Sequence, residues 1–130
     1  MKRNIQDAQF NEVIALPAAG STANSASIDM VEAGGLEESE LLVGHPVLPV
    51  LVDAKTVTIK IQDSADDSTF ADIVGLSTLV TTGAGGSGAA ANSRAVRLPS
   101  TTRQFVRIST IVLAAGGDNT AVEAFLQLRF

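Results

Sequence analysis

Strict alternation of apolar and polar side chains in TVTIKIQ, residues 56–62, restricts the fold of this chain more than any other feature. Successive side chains of a β-strand point to opposite sides, so Val57, Ile59 and Ile61 share one face and the polar residues share the other. The run AVEAFLQLRF, residues 121–130, repeats the pattern, with four apolar side chains on one face: Val122, Ala124, Leu126 and Leu128. Both segments are predicted strands that bury one face.

Six further segments carry apolar, β-branched or alternating residues and are predicted strands as well: residues 11–16, 25–31, 46–52, 70–82, 93–98 and 104–114. The stretches between them are rich in Gly, Asn, Asp and Ser, which close turns. The best helical candidate, GLEESELLVG at residues 35–44, is short and bounded by glycine. About eight short strands at this spacing predict an all-β protein, an antiparallel β-sandwich, with the jelly roll as its usual eight-stranded form.

A chain of 130 residues suits one domain with its own hydrophobic core. We assign residues 25–130 to a single β-sandwich domain. Residues 1–24 are predicted to be a partly extended N-terminal segment, whose first ten residues lack strong alternation.

The composition argues against several classes of binding protein. The chain has no Trp, no Tyr and only 4% aromatic residues, so it lacks the side chains that usually stack on sugars or on unpaired bases. Its net charge of −5 opposes binding to phosphate backbones, which depends on Lys and Arg. No apolar run in the sequence approaches the ~20 residues of a membrane helix. We therefore expect no nucleic-acid partner and no membrane partner.

Four aspartates lie close together in KIQDSADDSTFADI, residues 60–73: Asp63, Asp66, Asp67 and Asp72. An EF-type calcium loop needs oxygen ligands at positions 3 and 12 and glycine at position 6, where DSADDSTFADIV has Ala, Val and Ser. A hairpin connection fits better, because the alternation ends at Gln62, Asp63 and Ser64 can close an Asx-type turn, and Phe70 restarts the apolar pattern. We predict a solvated turn and no metal site, while a looser calcium site that uses backbone carbonyls stays open.

The sequence carries no catalytic motif that we can identify. His45 is the single histidine and cysteine is absent, so the usual zinc sites cannot form, and there is no Gly-x-Ser-x-Gly elbow. We expect His45 to be structural or at the surface. The Gly-rich residues 83–92 lack the Gly-Lys-Ser/Thr ending of a nucleotide loop, and paired acids such as Glu37–Glu38 lie in predicted turns. We therefore predict no enzymatic activity, no catalytic residues and no cofactor.

The predicted strand QFVRISTIVLA, residues 104–114, is apolar on both faces. Its two apolar sets are Val106, Ile108 and Val112 on one side and Phe105, Ile111 and Leu113 on the other. A two-layer sandwich covers only one face of each sheet, so we expect the second face to meet another chain. Phe105, Arg107 and Ile111 are the candidate interface residues, and Arg107 would need a carboxylate partner if that face is buried.

Two phrases, VTIKIQDSADDSTF at residues 57–70 and LPSTTRQFVRI at residues 98–108, resemble segments of the small cement or decoration proteins that bind the outside of tailed-bacteriophage capsids. A looser similarity in the order of segments spans residues 25–128. The resemblance implies a jelly-roll homotrimer that sits over three-fold positions of the shell and clamps neighbouring subunits of the major capsid protein of the same virus. It also implies a location on the capsid surface of the virion, after synthesis in the host cytoplasm.

Three residues of the N-terminal segment are the candidate capsid contacts on this interpretation: Lys2, Arg3 and Phe10. Similar phrases occur in other phage head and fibre domains, so a second hypothesis is a receptor- or carbohydrate-binding module of a virion fibre or tail. The lack of Trp and Tyr counts against that alternative.

Overall fold

The structure is a computed structural model that describes residues 6–30, 40–76 and 78–129, with side chains from 11 to 128 within those ranges. The described residues form ten β-strands and no helix, so no helical membrane span occurs among them. In chain order the strands are β1 (Gln6–Ala15), β2 (Thr22–Asn24), β3 (Ile28–Asp29), β4 (Glu40–His45), β5 (Thr56–Ser64), β6 (Ala71–Asp72), β7 (Leu79–Thr82), β8 (Asn92–Arg97), β9 (Phe105–Val112) and β10 (Glu123–Arg129).

The strands build two antiparallel sheets that pack against each other. Sheet A has the strand order β1-β10-β4-β8. Sheet B has the order β2-β9-β5-β6, and in addition β3 pairs with β9 and β7 pairs with β5. The hydrophobic core lies between the two sheets and draws side chains from both. The prediction of an all-β antiparallel sandwich is confirmed.

The alternation in β5 and β10 places the core side chains as predicted. Val57, Ile59 and Ile61 are buried, whereas Thr58 and Lys60 between them are partly exposed. Three residues of β10 are fully buried from the opposite side: Ala124, Leu126 and Leu128. The core also includes Leu41, Val43, Val106, Ile108 and Val112. Each fully buried aliphatic side chain stabilises the folded state by about 1.5–3 kcal/mol, so these faces are the main force holding the sheets together.

Three predicted strands differ in the structure. Over its described residues, the one predicted at 25–31 is reduced to β3 at Ile28–Asp29. Residues 46–52 form no ladder, because Pro46 and Pro49 lack the N–H group that a strand donates; the segment instead buries Leu48 and Leu51 as a core-covering loop. The preceding residues form β4, which also takes up the end of the helical candidate at 40–44.

The predicted strand at 70–82 is divided into β6 and β7. Residues 73–76 lie outside the strands, and Leu76 N donates to Ile73 O in a turn there. The N-terminal segment also contributes to the sheets, since β1 pairs with β10 from Gln6↔Arg129 to Ala15↔Glu123, and β2 pairs with β9.

The two ends of the sandwich differ in charge. Loops 16–21, 46–55, 83–91 and 113–122 meet at one end, joined by backbone hydrogen bonds such as Leu48 N to Ala89 O and Val52 N to Gly116 O. We call this the charge-poor end, because the four loops contain only three charged residues: Asp53, Lys55 and Asp118. The opposite, acidic end consists of residues 27–30, 62–72 and 98–107 and carries five aspartates: Asp29, Asp63, Asp66, Asp67 and Asp72.

The Gly-rich loop 83–91 is fixed at the charge-poor end by its backbone. Gly86 N donates to the Asp53 carboxylate, and Gly88 has a φ of +74°, a conformation that L side chains rarely adopt. A Cβ on Gly88 would overlap the carbonyl oxygen of Leu48, so glycine is required for the two loops to approach. This loop therefore packs closely over residues 46–53.

Candidate functional site

The two phrases that carry the resemblance, residues 57–70 and 98–108, are neighbours in the fold. The first supplies β5 from Val57 onward and the turn after it, and the second supplies the loop before β9 and the first half of β9. The strands pair from Val57↔Val112 to Ser64↔Phe105, so both phrases converge at the acidic end. Side chains from the two phrases link them there, and this cluster is the candidate functional site.

Asp63 is the buried centre of the cluster. It follows the core-facing positions of β5, so its side chain lies at the edge of the core and the residue is only 7% exposed. Its Oδ2 accepts a hydrogen bond from Arg103 N at 2.9 Å, and its Oδ1 accepts from Arg103 Nε at 3.1 Å and Nη2 at 2.7 Å. Arg103 Nη2 also donates to the Asp63 carbonyl at 2.8 Å. These contacts fix loop 98–104 onto the end of β5.

The ion pair determines how Asp63 and Arg103 ionise. Burial raises the pKa of the Asp63 carboxyl, but the hydrogen bonds and the positive charge of Arg103 outweigh it, so the pKa lies below the ordinary value of 3.8. The hydrogen bonds that the Arg103 side chain donates to Asp63 raise the pKa of Arg103 above its ordinary value. The prediction that Asp63 lies in a solvated turn is wrong, because β5 runs two residues further than the apolar pattern indicated.

Asp66 closes the turn that was predicted for Asp63. Its Oδ1 accepts hydrogen bonds from Thr69 N at 2.9 Å, Ser68 N at 3.0 Å and the Ser64 hydroxyl at 2.9 Å. These hydrogen bonds lower the pKa of Asp66 from 3.8 to about 2, with the largest effect from Thr69 N, followed by Ser68 N and the Ser64 hydroxyl. The predicted hairpin turn between two strands is confirmed, with residues 65–70 connecting β5 to β6.

The aspartates of this end have separate partners. Asp67 accepts a hydrogen bond from the Ser27 hydroxyl, and Asp72 accepts from Gln62 Nε2 at 2.9 Å and from Lys60 Nζ at 3.3 Å. The hydrogen bond from Gln62 and the charge of Lys60 lower the pKa of Asp72. Over the part of the chain that the structure describes, no group of three or more His, Cys, Asp or Glu side chains is placed to hold one metal ion.

Arg107 lies on the outer face of sheet B and is held by its own chain. Its guanidinium carbon stands 3.9 Å from the centroid of the Phe70 ring, a cation–π contact, and its Nε donates to Gln62 Oε1 at 3.0 Å. A carboxylate partner is predicted for Arg107 only if that face is buried; among the described residues its partners are an amide oxygen and an aromatic ring. Gln62 connects Arg107 to the Asp72 carboxylate, since its Oε1 accepts from Arg107 Nε and its Nε2 donates to Asp72 Oδ1.

The predicted interface residues are spread along β9. Phe105 and Arg107 lie at the acidic end and are partly exposed, whereas Ile111 is four positions further along, about 13 Å at ~3.3 Å per residue. Lys2 and Arg3 lie outside the described residues. Phe10 is part of β1, and its side chain is not among those described.

His45 is part of a buried polar network between the sheets, in agreement with the structural alternative for this residue. Its Nδ1 lies 2.7 Å from Pro46 O, which can only accept, so Nδ1 carries the proton and Nε2 accepts from the Thr81 hydroxyl at 2.7 Å. Asn92 Nδ2 donates to the same hydroxyl at 3.2 Å. Sequence analysis missed Thr81 and Asn92, since their pairing with His45 depends on strands that are distant in sequence.

A comparison with known protein families and with curated protein sequences finds no family and no protein that matches this chain.

Proposed function

We propose that this chain is a non-catalytic structural virion protein that binds the outside of a phage capsid and clamps adjacent coat subunits, stabilising the shell. In this proposal it acts as a homotrimer on the capsid surface, and its partner is the major capsid protein of the same virus. The number three and the partner come from the resemblance of residues 57–70 and 98–108 to cement proteins.

The observation that carries the proposal is the joining of those two segments into one rigid unit. The Asp63–Arg103 ion pair and the stacking of Arg107 on Phe70 each join a residue of the first segment, 57–70, to a residue of the second, 98–108. A surface whose side chains are fixed before binding loses little conformational entropy on association. This favours a docking role for the acidic end over a role as an ordinary solvated turn.

We also infer that the sandwich is a jelly roll. With β2 and β3 counted as one interrupted strand, and β6 and β7 as another, the described residues form eight strands in nested pairs. The first pairs with the last, the second with the seventh, the third with the sixth and the fourth with the fifth. This nesting is that of an antiparallel ribbon wrapped into two sheets, and it supports the fold that the resemblance implies.

The charge of the acidic end suggests how it would meet the coat. The aspartates outnumber the arginines there, and Asp66, with its pKa of about 2, is ionised at any physiological pH. We propose that this end opposes a basic patch on the coat, while Lys2, Arg3 and Phe10 remain candidate contacts from the N-terminal segment. Several weak contacts made by one rigid oligomer add up to tight attachment, because each contact raises the effective concentration of the next. Contacts that exist only in the closed lattice stabilise that lattice by mass action.

The test is sedimentation of the purified protein with capsids assembled from the coat protein of the same virus. We expect co-sedimentation, a higher temperature for capsid disruption, and weaker attachment as NaCl is raised. The double variant Asp66→Asn/Asp67→Asn should attach more weakly and with less salt dependence. Asp118→Asn, which removes one exposed charge from the charge-poor end, is the control and should attach like the wild type. Failure to bind capsids, together with binding to cell-surface glycans, would replace the proposal by the fibre or tail alternative.

A further inference from the structure

The outer face of sheet B changes in chemistry along its strands. Strand register defines rows of neighbouring side chains across the sheet. The rows near the acidic end hold the charged residues Asp29, Lys60, Asp72 and Arg107. The next two rows have no charged member: Thr22, Ile111, Thr58 and Val80 form one, and Leu113, Thr56 and Thr82 form the other.

The uncharged rows continue into the loops of the charge-poor end. Val52 N donates to Gly116 O and Gly116 N donates to Leu113 O, so Val52 lies beside the last row of the sheet. Val50 is next to it, because a Cβ on Gly117 would touch both the carbonyl of Val50 and the side chain of Val52. Val50, Val52, Val80 and Leu113 are all large apolar side chains that are about half exposed. We call the seven sheet residues together with Val50 and Val52 the neutral surface.

The charge distribution indicates what covers the neutral surface. Two copies of a chain with net charge −5 repel each other wherever their acidic ends meet. At the acidic half of sheet B, association would also desolvate Lys60, Asp72 and Arg107, which already have partners within the chain. The neutral surface has neither disadvantage, because a second neutral surface can cover it without burying an unpaired charge.

The outer face of sheet A is the competing candidate. It has two uncharged rows as well, which include Val13 beside Phe125. Those rows are bounded by Glu123 on one side and by Glu40 with Arg97 on the other. A partner on sheet A would therefore meet charge at both limits of the patch. At the loop limit of the neutral surface the neighbouring charges are Lys55 and Asp53, and the Asp53 carboxylate already accepts a hydrogen bond from Gly86 N.

We propose that copies of this chain associate through the neutral surface. The inference rests on the proposed function in one respect, that a capsid clamp works as an oligomer, and it names the surface that joins the copies. Of the residues predicted as an interface from the sequence, Ile111 belongs to the neutral surface, while Phe105 and Arg107 lie at the acidic end, which stays free for the coat.

The test is light scattering of the purified full-length protein and of three variants that each add one carboxylate. Val80→Glu and Val52→Glu place it on the neutral surface, and Val13→Glu, at 53% exposure against 51% for Val80, places it on sheet A. We expect a wild-type mass that is a multiple of 13.4 kDa and is unchanged in 1 M NaCl, a mass near 13.4 kDa for the first two variants, and a wild-type mass for Val13→Glu. Circular dichroism should be the same for all four proteins, since the changed positions are half exposed.

Three results would overturn the inference: a wild-type mass of one chain, oligomers in both neutral-surface variants, or dissociation caused by Val13→Glu. The capsid assay separates this inference from the proposed function. A wild type that forms oligomers but binds no capsid would remove the proposed function alone. A monomer that still binds capsids would remove this inference and the homotrimer of the proposed function, and would leave the capsid-binding role.

Discussion

Replacing Asp63 with alanine should destabilise the fold through loss of the Arg103 contacts. The Arg103 side chain is 41% exposed, so water can replace much of what its guanidinium loses, and an ion pair of that kind contributes about 0–1 kcal/mol. The hydrogen bond from Arg103 N to the buried carboxylate is protected from water and contributes about 1.5–3 kcal/mol, as for other bonds to charged groups. We therefore expect the free energy of unfolding to fall by about 2–3 kcal/mol.

Thermal unfolding followed by circular dichroism, at one protein concentration and pH 7, measures the effect. At about 2.1 cal/mol/K per residue, the unfolding entropy of 130 residues is about 0.27 kcal/mol/K, so the expected fall in Tm is about 7–11 °C. Asp72→Ala is the matched control, because it removes an exposed carboxylate from the same sheet and should cost less than about 1 kcal/mol. If Asp63→Ala melts within 3 °C of the wild type, or together with Asp72→Ala, Asp63 does not hold loop 98–104 in place.

Two further variants test the turn and the loop packing. The pKa of Asp66 is about 2 in the folded state, below its ordinary value of 3.8. The ionised Asp66 carboxylate therefore stabilises the fold fully above pH 3.8, and this stabilisation is lost as the pH falls towards 2. Melting curves from pH 7 to pH 2 should therefore show Asp66→Asn below the wild type at pH 7 and converging with it at pH 2; a constant gap would contradict the assignment. Gly88→Ala should lower Tm far more than Gly86→Ala, since both glycines have positive φ but only Gly88 faces the carbonyl of Leu48. Equal shifts in Tm would show that the approach of the two loops does not matter.

Side-chain periodicity predicted the part of the fold that depends on one strand at a time. The core-facing residues of β5 and β10 follow from alternation alone, because burial on one face imposes a period of two. Hydrophobicity misleads at residues 46–52, where apolar content predicts a strand although Pro46 and Pro49 cannot donate to a ladder. Apolar loops that cover a core and strands inside it look alike when only hydrophobicity is compared.

The chemistry of the candidate site was harder to predict, because it depends on pairs of distant residues. Asp63 and Asp66 are three positions apart and have the same side chain, yet one is buried against Arg103 and the other closes an exposed turn. The distinction is whether β5 ends at Gln62 or at Ser64, and that is decided by pairing with β9. Likewise, the Phe70 ring that stacks on Arg107 comes from a turn 37 positions earlier in the sequence, which no local pattern connects to it.

The pairing of β1 with β10 has a consequence for how the chain folds. Residues 6–15 are made long before their partner strand, residues 123–129, which must insert between β1 and β4. Sheet B is also incomplete until β9 is available to join β2 and β5. Closing such long loops before any pairing is gained makes folding slow, and it leaves strand edges open in the nascent chain. The sandwich should therefore complete its folding only after β10 has left the ribosome, with chaperone binding expected before that point and a refolding time on the order of milliseconds to seconds.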